Sequence, residues 1–178
     1  MTAQSMEMIF FKNQKLYMAT EPLQPYLDSL AEKPRFFPNS TACWRGYHGT
    51  WEIKDDDRLF LIDLVCYRAD LKIGKIWEVG MDFLFQDQKE VFADWFSGEV
   101  RIPYGGLLEY VHGGYDSTYE KELHLVFKEG YLVSYNYVNN ILEQAKELIN
   151  TPGIIKPTPQ SPFRRLISKI RNKGNLNS

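Results

Sequence analysis

The segment running from Leu123 to Tyr135, Leu-His-Leu-Val-Phe-Lys-Glu-Gly-Tyr-Leu-Val-Ser-Tyr, constrains the fold more than any other stretch of this chain. Two runs rich in branched and aromatic residues flank a Glu-Gly pair. Glycine supplies the positive φ that a tight reversal demands. A three-residue loop with Gly130 left-handed opposes Phe127 to Tyr131, Leu125 to Val133 and Leu123 to Tyr135. That register puts the odd positions of both strands on one apolar face.

Two further hairpins follow from the same pattern. Met8 to Phe11 and Leu16 to Ala19 flank the polar turn Lys12-Asn13-Gln14-Lys15. A longer hairpin spans about residues 43–66, turning at Asp55-Asp56-Asp57. A three-residue loop there opposes Ile53 to Leu59 and Trp51 to Leu61. The return run from Leu59 to Val65 is apolar on both faces, the pattern of a central strand. Lys75 to Val79 and Glu99 to Ile102 read as further strands, with Pro103 ending the second. Tyr104-Gly105-Gly106 reads as a turn and Leu107 to Val111 as a short strand.

Helical spacing is confined to short pieces. Leu23, Tyr26, Leu27 and Leu30 predict an amphipathic helix over 21–31, with Thr20 as its cap. A second helix starts at Asn139 or Asn140 and runs to about Ile149. The fold class is therefore α+β and mostly β: a curved antiparallel sheet of β-hairpins, one or two short packing helices, and a C-terminal basic helix. Residues 1–150 form a single β-rich domain, 151–162 a proline-rich linker, and 163–178 a basic amphipathic tail.

Charge is unevenly placed. The formal net charge is −2, yet six basic residues and no acidic one lie from Lys156 onward. The body up to residue 155 carries 15 basic and 23 acidic residues, a net of −8. Such a body repels nucleic acid and attracts basic partners. The tail residues Arg164, Arg165, Lys169 and Arg171 are suited instead to an anionic membrane, a partner groove or nucleic acid. Two cysteines, Cys43 and Cys66, make no disulfide framework, and no apolar run reaches membrane-spanning length. The expected setting is the cytoplasm.

No strong catalytic signature is present: no phosphate loop, no nucleophile elbow, no zinc-binding helix motif. The histidines are His48, His112 and His124. His48, His112 and Asp94 are the candidate catalytic set, able to act together only if the fold converges them. A metal site could draw on His48, His112, Asp63 or Asp94, but their spacing is not diagnostic, and no cofactor is expected. The densest polar-aromatic segment runs from Cys43 to Trp51, but Cys43 and His48 fall on opposite faces of a regular strand. Asp55, Asp56 and Asp57 are the candidate partner-binding acids of the body, and also the residue type that a tight turn favours.

Trp44-Arg45-Gly46-Tyr47-His48-Gly49-Thr50-Trp51-Glu52-Ile53 and the stretch from Phe92 to Pro103, with Leu108 to His112 and Tyr119-Glu120-Lys121, resemble small bacterial β-rich proteins of unknown function. The resemblance covers about residues 8–140 and implies a bacterial, soluble, β-rich protein. It implies no activity.

These features favour a non-catalytic binding protein over an enzyme, of the immunity type that masks a basic protein partner. One alternative is a hydrolase or metal-dependent enzyme built near His48, His112 and Asp94. Another is attachment to a membrane or nucleic acid through the basic tail. Exposed aromatic residues would also suit a homodimer.

Overall fold

The computed structural model describes residues 3–150, so the linker and the basic tail with Arg164, Arg165, Lys169 and Arg171 lie outside the described residues. The chain divides into two compact units, one ending at Val138 and one beginning at Asn139. The first unit is mostly β. Its strands are β1 (Glu7–Phe11), β2 (Gln14–Met18), β3 (Tyr47–Ile53), β4 (Leu59–Asp70), β5 (Lys75–Val79), β6 (Val91–Phe92), β7 (Gly98–Glu109), β8 (Thr118–Lys128) and β9 (Tyr131–Asn139), with one short helix, α1 (Gln24–Ser29). The second unit opens with α2 (Asn140–Asn150). Asn139 caps it, its Oδ1 accepting the Leu142 N–H at 3.2 Å.

The strands form two sheets. The first has the order β2-β1-β3-β4-β5, with β6 added to β4. The second has the order β7-β8-β9. The expected hairpins are thus shared between two sheets. Ile9, Trp51 and Leu61 of one sheet join Val100, Ile102 and Leu125 of the other in a single buried cluster. Most pairings are antiparallel, but β1 and β3 run parallel, with Ile9 beside Trp51. A parallel pair needs a long crossover, here the stretch containing β2, α1 and the loop up to Gly46.

The 43–66 hairpin has the register its pattern demands. Trp51 pairs with Leu61 and Ile53 with Leu59. The Lys54 N–H donates to Arg58 O at 3.0 Å and the Asp57 N–H to Lys54 O at 3.0 Å, closing the three-residue loop. Asp57 takes the left-handed position, at φ 62°. The strand over Lys75–Val79 also stands as expected.

Four expectations are corrected. Pro103 does not end its strand: β7 runs on through Gly105-Gly106, where the register shifts, to Glu109. The strand tolerates proline because β7 is at the sheet edge, where no ladder bond is lost. Helix α1 is shorter than 21–31, and Leu23 rather than Thr20 precedes it. The Thr20 Oγ1 instead accepts the Arg101 N–H, tying the crossover to β7. Finally, the β8–β9 turn holds two residues, Glu129 and Gly130, both at positive φ as a type I′ turn requires. Leu123, Leu125 and Phe127 are buried as expected, but Tyr131, Val133 and Tyr135 on the edge strand β9 remain exposed.

Gly130 and Gly74 separate two reasons for a turn glycine. Both have positive φ, but a Cβ at Gly130 would lie 2.6 Å from Ala93 O, whereas one at Gly74 meets open space. Gly74→Ala is expected to cost about 1 kcal/mol in urea unfolding and Gly130→Ala about 3 kcal/mol. Equal costs would show that the Ala93 contact plays no part.

Candidate functional site

Alternation along β1 points Glu7, Ile9 and Phe11 into the core, so one carboxylate goes where only apolar groups are expected. Glu7 is fully buried. Its Oε2 accepts the Trp51 Nε1–H at 2.6 Å. Gly49 makes room for that bond, since a Cβ there would lie 2.7 Å from the Glu7 Oε2. Arg45 Nε approaches Glu7 Oε1 at 3.3 Å. The contact is an ion pair without an aligned hydrogen bond, as neither atom has a hydrogen-bond partner. Burial pushes the Glu7 carboxyl up to about 7, although Arg45, Trp51 and the Gly49 backbone oppose the rise.

Arg45 is the hub of this cluster. Its NH1 donates to the Tyr115 phenol at 2.7 Å and approaches Glu21 at 3.5 Å. Its NH2 donates to Ser5 O at 2.9 Å and contacts His48 Nδ1 at 3.3 Å. Burial works against the Arg45 charge, but Glu7, Tyr115 and Glu21 outweigh it and hold its pKa above the ordinary value. Tyr115 also donates to Ser5 O or Glu21, which ties the 110–117 loop to the N-terminal segment.

His48 therefore sits beside a permanent cation. A guanidinium only donates, so His48 Nδ1 accepts and its proton resides on Nε2, which faces Ser5 Oγ at 3.3 Å. The Ser5 hydroxyl in turn donates to Ala42 O at 2.9 Å. Burial, and then Arg45, lower the His48 pKa. A serine hydrolase holds its imidazole with a carboxylate, which favours the protonated ring. Here a cation occupies that side and disfavours it.

The other sequence candidates lie elsewhere. His112 is in the 110–117 loop, its Nδ1 3.1 Å from the Tyr110 phenol. Asp94 is exposed between β6 and β7. Among the described residues no hydrogen bond or ion pair joins His48, His112 and Asp94 to one another. No group of three His, Cys, Asp or Glu side chains able to hold a metal is gathered among the described residues. His124 lies between two carboxylates, Glu99 at 2.6 Å and Glu122 at 3.1 Å. Glu122 is itself clamped by Arg101 through two contacts of 2.9 and 2.6 Å. That arrangement braces β7 against β8.

A second site lies at the surface. The turn Asp55-Asp56-Asp57 is exposed, and Asp57 O accepts the Leu132 N–H at 2.8 Å. Arg58 bridges Tyr131 beside it. The acidic turn therefore adjoins β9 and its exposed Tyr131, Val133, Tyr135 and Tyr137, the last 63% exposed. Lys12, in the β1–β2 turn, places Nζ 4.2 Å from the Tyr135 ring centroid. Asp56 is engaged with Arg58 at 2.6 Å. Asp55 lines a shallow groove of about 320 Å³ with Lys12, Asn13, Glu52 and Lys54. Comparison with protein-family models, curated proteins and solved structures finds no match.

The Glu7 environment sets a pH dependence. The folded state holds the Glu7 proton up to about 7, against an ordinary value of 4.5, so wild-type stability falls as pH rises between those values. The full loss is about 3 kcal/mol. Glu7→Gln keeps an acceptor for Trp51 and lacks the titration. Its unfolding free energy, measured in urea across this window, is expected to rise relative to wild type by that amount. Parallel curves would contradict the assignment.

Proposed function

We propose that this protein is a non-catalytic binding protein that masks a basic protein partner, in the manner of an immunity protein. The observation that carries the reading is the hydrogen bond of 2.8 Å from Leu132 N–H to Asp57 O, which joins an acidic turn to a strand of exposed tyrosines. Tyrosine gives large, rigid contact area at little entropic cost and offers both a ring face and a hydroxyl. Carboxylates beside it select arginine or lysine over neutral side chains. Lys12 over Tyr135 is an internal example of that pairing. The −8 charge of the body adds attraction at a distance.

The proposed setting is the bacterial cytoplasm. Cys43 and Cys66 are both buried and free, which suits a reducing compartment. Burial lifts the Cys66 thiol to about 12, so it stays protonated and unreactive.

The test is capture of a partner from the source cell on immobilised full-length protein. A basic protein is expected to be retained at low salt and released as salt rises. The Asp55→Asn, Asp56→Asn, Asp57→Asn triple variant is expected to hold it at least about tenfold more weakly, and Tyr135→Ala similarly. Retention of the same partner by both variants, at any salt, would overturn the reading.

A further inference from the structure

The arm formed by β4 and β5 leaves the core after Cys66. Asp70 pairs with Lys75, Ala69 with Ile76 and Arg68 with Trp77, and the four residues Leu71, Lys72, Ile73 and Gly74 close its end. At about 3.4 Å per residue, this end stands roughly 15 Å beyond Cys66. The Asp70 carboxylate accepts the Lys72 N–H at 2.9 Å, and Gly74 has positive φ, so the reversal is built into the backbone. β5 is an edge strand, exposed along nearly its whole length.

The composition of this tip is unusual for a water-exposed turn. Leu71 is 79% exposed and Ile73 71% exposed, and Ile76 and Trp77 are exposed behind them. Lys72 and Lys75 alternate with these apolar residues, and no acidic residue lies between Leu71 and Trp77. The apex is convex, whereas small-molecule sites are concave. Lysine is depleted from the cores of protein interfaces, which disfavours a protein partner. Aliphatic side chains with tryptophan beside them, ringed by lysines, are what the boundary between lipid headgroups and acyl chains accepts.

We propose that the β4–β5 tip docks on the surface of an anionic lipid bilayer. Leu71, Ile73 and Ile76 enter the headgroup–acyl boundary, Trp77 lies at the interface, and Lys72 and Lys75 contact anionic headgroups. The chain does not cross the membrane in this mode. A short aliphatic insertion needs electrostatic help to hold, so anionic lipid is required against the acidic body. The docking is independent of the proposed acidic surface for a basic partner, which involves Asp55, Asp56, Asp57 and β9.

The experiment is co-sedimentation of the full-length protein with vesicles of phosphatidylcholine alone and of phosphatidylcholine with about one-third phosphatidylserine. Binding to the anionic vesicles is expected, at least about tenfold stronger than to neutral ones. The Leu71→Ser, Ile73→Ser double variant is expected to lose it while its urea unfolding midpoint stays unchanged, because both side chains are already in water. Phosphatidylcholine brominated along its acyl chains should quench a part of the tryptophan emission that Trp77→Phe removes. Absence of binding to anionic vesicles would overturn the proposal. Binding that survives the double variant would also overturn it, assigning attachment to another part of the chain such as the basic residues from Lys156 onward. Equal binding to both vesicle types would overturn it as well, because the docking requires anionic lipid.

Discussion

The contact on which the first sheet depends is the buried carboxylate of Glu7, shared between the Trp51 indole at 2.6 Å and the Arg45 guanidinium at 3.3 Å. Taking these charges out of water is costly, and the geometry between them only partly offsets it. Its value is in specificity. β1 and β3 are parallel neighbours separated in sequence by β2, α1 and a long loop, so no tight turn sets their register. A carboxylate that reaches its indole across Gly49 marks one alignment; a slip of one residue would turn Glu7 to solvent and strand Arg45.

From that pair the network spreads through Arg45. The guanidinium reaches the N-terminal segment at Ser5, the crossover at Glu21, and the 110–117 loop at Tyr115. Arg45 thus adds to the backbone bonds, Gln4 N–H to Gly114 O and Ser5 N–H to Ala42 O, that hold these irregular segments. Burial, and then the same cation, lower the His48 pKa. The surfaces proposed for partners are made of turns and edge strands: the Asp55-Asp56-Asp57 turn with β9, and the β4–β5 tip. Neither spends a residue of the Arg45 network.

Local pattern carried much of this fold. The alternation around Trp51 and Leu61, with three aspartates between, was enough to set register, because one face had to be apolar and the loop length was odd. The strand over Lys75–Val79 was legible from the strand-favouring residues Ile76, Trp77 and Val79. Division into two sheets was not, since which hairpin lies beside which is decided by long-range packing. The parallel β1–β3 pair was hidden too, as nothing local announces a crossover. At the site, His48 stands out in the sequence as a titratable group, whereas residue type alone does not mark Arg45, Glu7 or Tyr115 as partners. One signal was available: Glu7 shares parity with Ile9 and Phe11, and an acid on an apolar face needs a buried partner. The exposure of Tyr131, Val133 and Tyr135 follows from a turn one residue shorter than the expected loop, which puts them on the face opposite to Leu123, Leu125 and Phe127; the positive φ of Glu129 that sets this length is not announced by its residue type.

The most direct measurement of the central claim is a double-variant cycle on Glu7 and Arg45, read by urea unfolding at a pH above 7, where Glu7 is ionised. Glu7→Leu and Arg45→Met each leave a buried charge without its counterpart, so each is expected to cost about 3 kcal/mol or more. With both charges gone that penalty is absent, and the double variant is expected to be no less stable than the worse single one. The coupling would then be about 3 kcal/mol or more. Single-variant costs that simply add would contradict the account.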